Sequence, residues 1–158
     1  SYRLQVGQGL NPQSWLPVGE ERQTAVEGGV LGVWDTSGLD GLWALRLQVE
    51  RSENRLDTAT LQVTVDNTPP LVRVVYPLPD GLAQPSPQGT VTLQAEVSDN
   101  IGVARVEWRI DGRVVGESFD APYSLPWAAV RGSHSLSLSV TDTAGNVGQS
   151  PPAPFQIP

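Results

Sequence analysis

Alternation of apolar and polar residues is the dominant pattern in this sequence, and it limits the possible folds more than any other feature. In the segment LQVTVD, Leu61, Val63 and Val65 fall on one side and Gln62 and Thr64 on the other, as in a half-buried antiparallel strand. Turn sequences such as DNIG, IDGR and DTAGN separate the alternating runs. Short strands with turns between them are typical of β-sandwiches. We therefore predict an all-β fold built from antiparallel β-sandwiches.

A double proline divides the chain in two. Pro69 and Pro70 cannot donate ladder hydrogen bonds, and each forces the residue before it into an extended conformation. The chain has 158 residues, which is enough for two small sandwiches. We therefore predict one domain over residues 1–67 and a second over residues 68–158, joined by a stiff hinge.

The two predicted domains differ in strand count. The second has seven predicted strands, as a whole sandwich requires; they are 71–76, 90–98, 104–110, 113–117, 123–127, 135–141 and 154–157. The first has five, namely 2–6, 15–18, 30–34, 43–50 and 58–65. Aligning LDGLWALRLQV with VRGSHSLSLSV indicates that the first domain lacks its first two strands. We expect this partial sandwich to expose strand 30–34 as an unpaired edge, completed by a neighbouring molecule's strand, a close contact with the second sandwich or upstream residues.

Composition excludes several functions. The chain has no Cys, so thiol chemistry and thiolate metal sites are ruled out. It also has no Lys. Its net charge is −7 and its ten basic residues are scattered arginines, which argues against nucleic-acid binding. No apolar run approaches the length of a membrane helix, about 20 residues, so we expect no membrane contact by this segment. His134 is the only histidine, and no G-x-S-x-G motif accompanies it. We therefore predict no catalytic residues.

Two stretches resemble known bacterial modules. VEWRIDGRVVGESFDAPYSLPWAAVRGSHSLSLSVTDTAGN resembles bacterial Ig-like modules in which a VDG hairpin, a PY strand, a G-x-H turn and a D-x-A-G-N turn recur in this order. The segments YRLQVGQGLNPQSWLPVG, GVLGVWDTSGLDGLWALRLQV and VTVDNTPP resemble the Ig-like or fibronectin-like region at the C-terminal end of some class A penicillin-binding proteins. The resemblance implies two tandem Ig-like sandwiches, and it makes His134 a packing residue of its turn.

The second resemblance also implies a context. It implies an exported, membrane-anchored peptidoglycan glycosyltransferase and transpeptidase, with this segment as its noncatalytic extracytoplasmic tail. The transpeptidase motifs S-x-x-K and K-T-G are missing here, so no catalytic role carries over. The expected partners are cell-wall glycan or another envelope protein. The alternative is a glycan-binding or protein-binding module, similar to an adhesin, of another bacterial surface protein.

The five tryptophans are the candidates for a ligand face. Alternation places Trp43 and Trp108 with the inward-facing aliphatic residues of their strands, so we assign both to the core. Trp15 follows the polar stretch NPQS, and Trp127 follows a proline. We keep Trp15 and Trp127 as a ligand face, on which a sugar ring would stack.

Acidic and amide residues mark the turns and the linker. In a sandwich of this type the linker meets the loops after the second and sixth strands at one pole. An interdomain calcium site at Asp40, Asp66, Asn67 and Asp99 is therefore an alternative, as in cadherins. Calcium takes six to eight oxygens, and this linker lacks several cadherin carboxylates. We accordingly expect no cofactor and assign these residues to turn capping.

Overall fold

The computed structural model describes residues 1–52 and 55–158. It divides into two compact units, Ser1–Asn67 and Thr68–Pro158. The described residues contain no α-helix and carry β-strands in both units, so the predicted all-β class is confirmed. Accordingly, none of these residues belongs to a helix that would be long and apolar enough to cross a membrane.

The described residues of the first unit form one antiparallel sheet. Its strand order is β2-β1-β3-β4. The strands are β1 Tyr2–Gln8, β2 Leu16–Pro17, β3 Gly41–Glu50 and β4 Leu56–Val65. The central pair is formed by YRLQV and LWALRLQV, whose alternation places one apolar face on the same side of both strands.

An irregular segment, residues 30–34, covers the apolar face of this sheet. The Tyr2 hydroxyl donates a hydrogen bond to the Leu31 carbonyl at 3.1 Å. The rings of Trp34 and Trp43 meet edge to face with their centroids 5.4 Å apart. Gly32 lies so close to the sheet that an added Cβ would be 2.7 Å from a methyl carbon of Leu4. The prediction of a strand at 30–34 is therefore wrong, because this segment packs across the sheet and does not pair along it.

The second unit is a two-sheet sandwich. One sheet has the order β10-β7-β5, and the other has the order β6-β13-β11-β8-β9 with β12 also paired to β11. The strands are β5 Leu71–Tyr76, β6 Gly81–Leu82, β7 Thr90–Ser98, β8 Val103–Ile110, β9 Arg113–Ser118, β10 Ser124–Ala128, β11 Gly132–Asp142, β12 Val147–Gln149 and β13 Ala153–Ile157. All seven predicted strands are present, with ends within three residues of the predicted ones. The short strands β6 and β12 were not predicted.

The core of the sandwich lies between these sheets and is centred on Trp108. This side chain has no exposed surface and packs with Leu93, Leu138 and Phe155. Its indole N–H donates to the Ser118 hydroxyl at 2.9 Å, so the one polar atom of the ring is satisfied. Burial of such a ring contributes on the order of 2 to 3 kcal/mol. The inward assignment of Trp108 is confirmed.

The start of β5 is fixed to β12 by a close backbone contact. Pro70 is buried, and its carbonyl oxygen would lie 1.9 Å from a Cβ placed on Gly148. Only glycine allows this approach, because any side chain would overlap the oxygen. The second proline of the predicted joint therefore packs into the second unit.

Candidate functional site

His134 lies between two acceptors and two aromatic rings. One ring nitrogen, Nδ1, is 2.8 Å from a carboxylate oxygen of Asp111, and the other, Nε2, is 2.8 Å from the Val130 carbonyl. A neutral imidazole has one N–H, whereas the protonated ring donates to both acceptors. The hydrogen bond to Asp111 raises the pKa of His134; burial opposes this, and the Val130 carbonyl adds to the increase. The ring also packs against Trp127 and Phe155, which agrees with a packing role.

Asp111 reaches His134 because of the turn that carries it. Asp111 and Gly112 join β8 to β9 with φ angles of 51° and 78°, and positive φ at both central residues is what a two-residue type I′ hairpin requires. The other carboxylate oxygen of Asp111 accepts the Ser135 N–H at 2.8 Å. The hydrogen bond from His134 lowers the pKa of Asp111; burial opposes it, and the Ser135 N–H reinforces it. The pair therefore ties the hairpin turn to β11.

Asp142 and Asp99 cap two turns in the second unit. One oxygen of Asp142 accepts the backbone N–H groups of Ala144, Gly145 and Asn146 at 2.7 to 2.8 Å. Burial raises the pKa of Asp142, but the hydrogen bonds from Asn146 and the neighbouring N–H groups outweigh it and leave the pKa below its ordinary value. Oδ2 of Asp99 accepts the N–H groups of Ile101 and Gly102.

The pole predicted for the second sandwich is formed by these two turns. A carboxylate oxygen of Asp99 and one of Asp142 lie within 4.8 Å of each other. Oδ1 of Asp99 is buried and accepts no hydrogen bond from the residues described. The remaining oxygens of the pair face N–H donors, so the arrangement is that of Asx capping.

Asp40 and the linker residue Asn67 in the first unit also have capping partners. Asp40 accepts the Asn67 N–H at 2.7 Å, and the Asn67 amide donates to the carbonyls of Thr36 and Leu39 at 2.7 Å each. Asp66 directly follows Val65, the last residue of β4. Asp40 and Asn67 are thus brought together, and they close the turn that leads into β3. Calcium at Asp40, Asp66, Asn67 and Asp99 stays a hypothesis.

Trp15 lies on the polar face of the first unit, beside an open cleft. The Arg46 guanidinium covers the indole ring, with its central carbon 4.0 Å from the ring centroid. Gln5 fixes this guanidinium by accepting two of its N–H groups at 2.7 and 2.9 Å. The cleft has a volume of about 520 Å³. Its lining combines Trp15 with apolar and amide side chains from the preceding loop and from β4, namely Leu10, Asn11, Pro12, Gln13, Thr60, Leu61 and Gln62.

Trp127, the other residue of the predicted ligand face, is in a different environment. It is half-buried on β10 and packs against the core of the second unit. Its ring meets Phe155 edge to face at 6.0 Å and His134 at 5.2 Å. The alternation Tyr123, Leu125, Trp127 is the sequence signal for this inward orientation.

Comparison with known proteins identifies the type of fold. Residues 70–138 match the family model described as a bacterial Ig domain. No curated protein matches the chain. The fibronectin(III)-like modules of Clostridium thermocellum CbhA are 19% identical to it with a TM-score of 0.50, over 55% of this chain and 94% of theirs. At that identity the likeness bears on the fold alone.

Two further solved structures are similar at lower scores. Dimeric latent PorU from Porphyromonas gingivalis is 17% identical with a TM-score of 0.39, over 75% of this chain and 12% of its own. The N-terminal four Ig domains of Dscam1 isoform 4.44 are 13% identical with a TM-score of 0.43, over 99% of this chain and 37% of their own. We draw no inference from these two matches. The strand topology, the bacterial Ig match and the fibronectin-like neighbour show that this all-β chain carries an Ig-like β-sandwich in its second unit.

Proposed function

We propose that this chain is a noncatalytic extracytoplasmic spacer or docking tail of a cell-wall enzyme, and that the enzyme is a penicillin-binding protein that makes peptidoglycan. One observation carries the noncatalytic part. Three titratable side chains of the second unit, His134, Asp99 and Asp142, hold turns or strands in place. Such residues stabilise a rigid module, which is what a spacer requires.

The cell-wall context is supported by the type of module and by sequence resemblance. The match over residues 70–138 is to a bacterial Ig domain, and modules of this kind are commonly displayed outside the cytoplasm. The segments around Trp15 and Trp43 resemble the C-terminal region of class A penicillin-binding proteins. Cell-wall glycan and envelope proteins are the partners that this location would offer.

The parent gene provides the direct test. Its reading frame should encode a glycosyltransferase domain and an S-x-x-K transpeptidase motif upstream of Ser1, and labelled β-lactam should acylate the full-length protein but not the purified 158-residue chain. Deleting the chain from the full-length protein should leave transpeptidation of a soluble substrate intact. A parent without these domains would refute the penicillin-binding assignment, and acylation of the isolated chain would refute the noncatalytic role.

A glycan-binding module is the second candidate, and the Trp15 cleft favours it. An aromatic ring beside amide side chains offers a sugar both a stacking surface and hydrogen-bond donors and acceptors. Titration of the purified chain with soluble peptidoglycan fragments, followed by tryptophan fluorescence, tests this role. Binding should be lost in Trp15→Ala and kept in the matched variant Trp127→Phe. No binding by the wild-type chain would leave the spacer role alone.

A further inference from the structure

The two edges of the sheet in the first unit are protected differently. The edge beside β1 is covered by β2, which has two residues and ends in a proline. The opposite edge is β4, whose only partner strand in the described part of the chain is β3. Exposed edges are usually blocked by charged residues, proline or a β-bulge. From Thr58 to Val65, β4 has no charge and no proline, and its pairing with β3 shows no register shift.

The register identifies the backbone groups that β4 leaves unpaired. The Gly9 N–H donates to the Leu42 carbonyl at 2.8 Å, so the even-numbered residues of β3 face β1. Successive residues of a strand in an antiparallel sheet bond to opposite neighbours, so the odd-numbered residues of β3 face β4. In the register of these two strands, each odd-numbered residue of β3 lies opposite an odd-numbered residue of β4. The odd-numbered residues of β4 therefore bond to β3. The residues that direct their N–H and C=O groups away from the sheet are Thr58, Thr60, Gln62 and Thr64.

The sequence of this edge is nearly symmetric about Leu61. In TATLQVT, Thr58 mirrors Thr64, Ala59 mirrors Val63 and Thr60 mirrors Gln62. In an antiparallel pair with its two-fold axis at Leu61, each residue lies opposite its mirror residue in the other copy. The pairs Thr60 with Gln62 and Thr58 with Thr64 then exchange hydrogen bonds. These are the residues whose outward backbone groups have no backbone partner among the described residues of the single chain.

We propose that two copies of this chain associate by antiparallel pairing of their β4 strands about Leu61, which joins the two sheets into one. The Leu61 side chain is 63% exposed, and the axis places it beside its counterpart, with a Cβ separation of about 5 Å. Because residues 58–65 carry no charge, the pairing places no like charges opposite each other, although the chain has a net charge of −7. Asp57, just outside the stretch, is paired with Arg51 at 2.5 Å. Beside Thr60 and Gln62, the Trp15 cleft leaves room for the second copy's side chains.

A single introduced cysteine tests the position of the axis. The chain has no cysteine, so Leu61→Cys forms a disulfide only between two copies. The matched control is Leu56→Cys, on the same strand and 51% exposed, where the proposed pairing separates the two sulfurs by about 33 Å at 3.3 Å per residue. Under mild oxidation Leu61→Cys should give a covalent dimer and Leu56→Cys should remain monomeric. Equal cross-linking of both variants, or none in Leu61→Cys, would overturn the proposal.

Sedimentation equilibrium of the unmodified chain provides the second test. The wild type should show a monomer–dimer equilibrium. Thr60→Pro removes a backbone N–H that would bond only to the second copy. Leu61→Glu places two negative charges opposite each other at the axis. Each substitution should raise the dimer dissociation constant about tenfold or more. Melts of both variants at low concentration should match the wild type. A wild type that stays monomeric, or a dimer that both substitutions leave intact, would contradict pairing through β4.

Discussion

At the residue scale, His134 and Asp111 make the stability of the second unit depend on pH. The raised pKa of His134 means that its stabilising effect is complete below the ordinary value of 6.5 and is lost as the pH rises through the folded pKa. The lowered pKa of Asp111 means that its effect is present above 3.8 and is lost as the pH falls through the folded pKa. The pair is therefore most stabilising between these two ordinary values, where the imidazolium and the carboxylate coexist.

This pair gives a measurable prediction. The Asp111 side chain is 50% exposed, so solvent screens the pair and we expect a loss of only about 0.5 kcal/mol between pH 5.5 and 8.5. Urea melts of the wild type should show this decline, and His134→Gln should flatten it. The control is Asp120→Asn, which changes an exposed carboxylate. An undiminished decline in His134→Gln would show that other groups cause it.

Trp108 and Arg109 are neighbours on β8 with opposite environments. Trp108 is fully buried, so Trp108→Ala should leave a cavity and cost about 3 to 5 kcal/mol. The Arg109 side chain is 44% exposed and pairs with Glu107 at 2.6 Å, so Arg109→Ala should change stability by no more than about 0.5 kcal/mol. Denaturant melts of the two variants compare the costs directly. Similar losses would mean that β8 has the wrong register.

At the scale of elements, the contact between Pro70 and β12 predicts a strong position dependence for glycine substitution. In Gly148→Ala the new Cβ would overlap a backbone oxygen, so β12 or the start of β5 must shift, at a cost of about 1 to 3 kcal/mol. Gly102→Ala is the matched control, because its nearest neighbour would be a Thr143 methyl carbon at 3.6 Å. Thermal melts should separate the two. A harmless Gly148→Ala would show that β12 does not hold Pro70.

The same elements show which features a sequence pattern can predict. Alternation located β7, β8 and β11, because in a sandwich one side of each strand faces the core. The strand prediction failed at 30–34, where Val30 and Val33 are 74% and 84% exposed, because this described segment covers a sheet and pairs with no strand. The β4 edge could not be predicted, because which strand lies outermost depends on the order in which distant segments pair.

Candidate site residues were predictable only where local geometry decides them. The D-G turn implied a hairpin, so the position of Asp111 follows from the sequence. Its contact with His134 depends on the pairing of β8 with β11, residues far apart in the chain. Trp15 follows the polar stretch NPQS, whereas Trp127 continues the alternation Tyr123, Leu125, Trp127. They differ in the structure because one lies on a sheet's polar face and the other on a sandwich core.

At the scale of the whole molecule, the acidic and amide turn residues decide whether the chain needs a metal ion. A calcium ion takes six to eight oxygens. In both units the carboxylates of Asp40, Asp99 and Asp142 already accept backbone N–H groups at 2.7 to 2.8 Å, and those N–H groups would lose their acceptors if the carboxylates turned to an ion. The buried Oδ1 of Asp99 is the atom that the calcium hypothesis would use.

We therefore predict that the midpoint of thermal unfolding is the same in millimolar calcium and in chelator. Any ligand that binds only the folded state raises this midpoint by mass action, so the comparison detects a calcium site wherever it lies. Asp99→Asn replaces one carboxylate of the hypothetical site with a neutral amide, and Asp66→Ala removes another. Asp120→Asn, at an exposed position, controls for the loss of one charge. A rise in calcium that Asp99→Asn and Asp66→Ala abolish and Asp120→Asn preserves would establish the metal site and assign these aspartates a ligand role beyond capping.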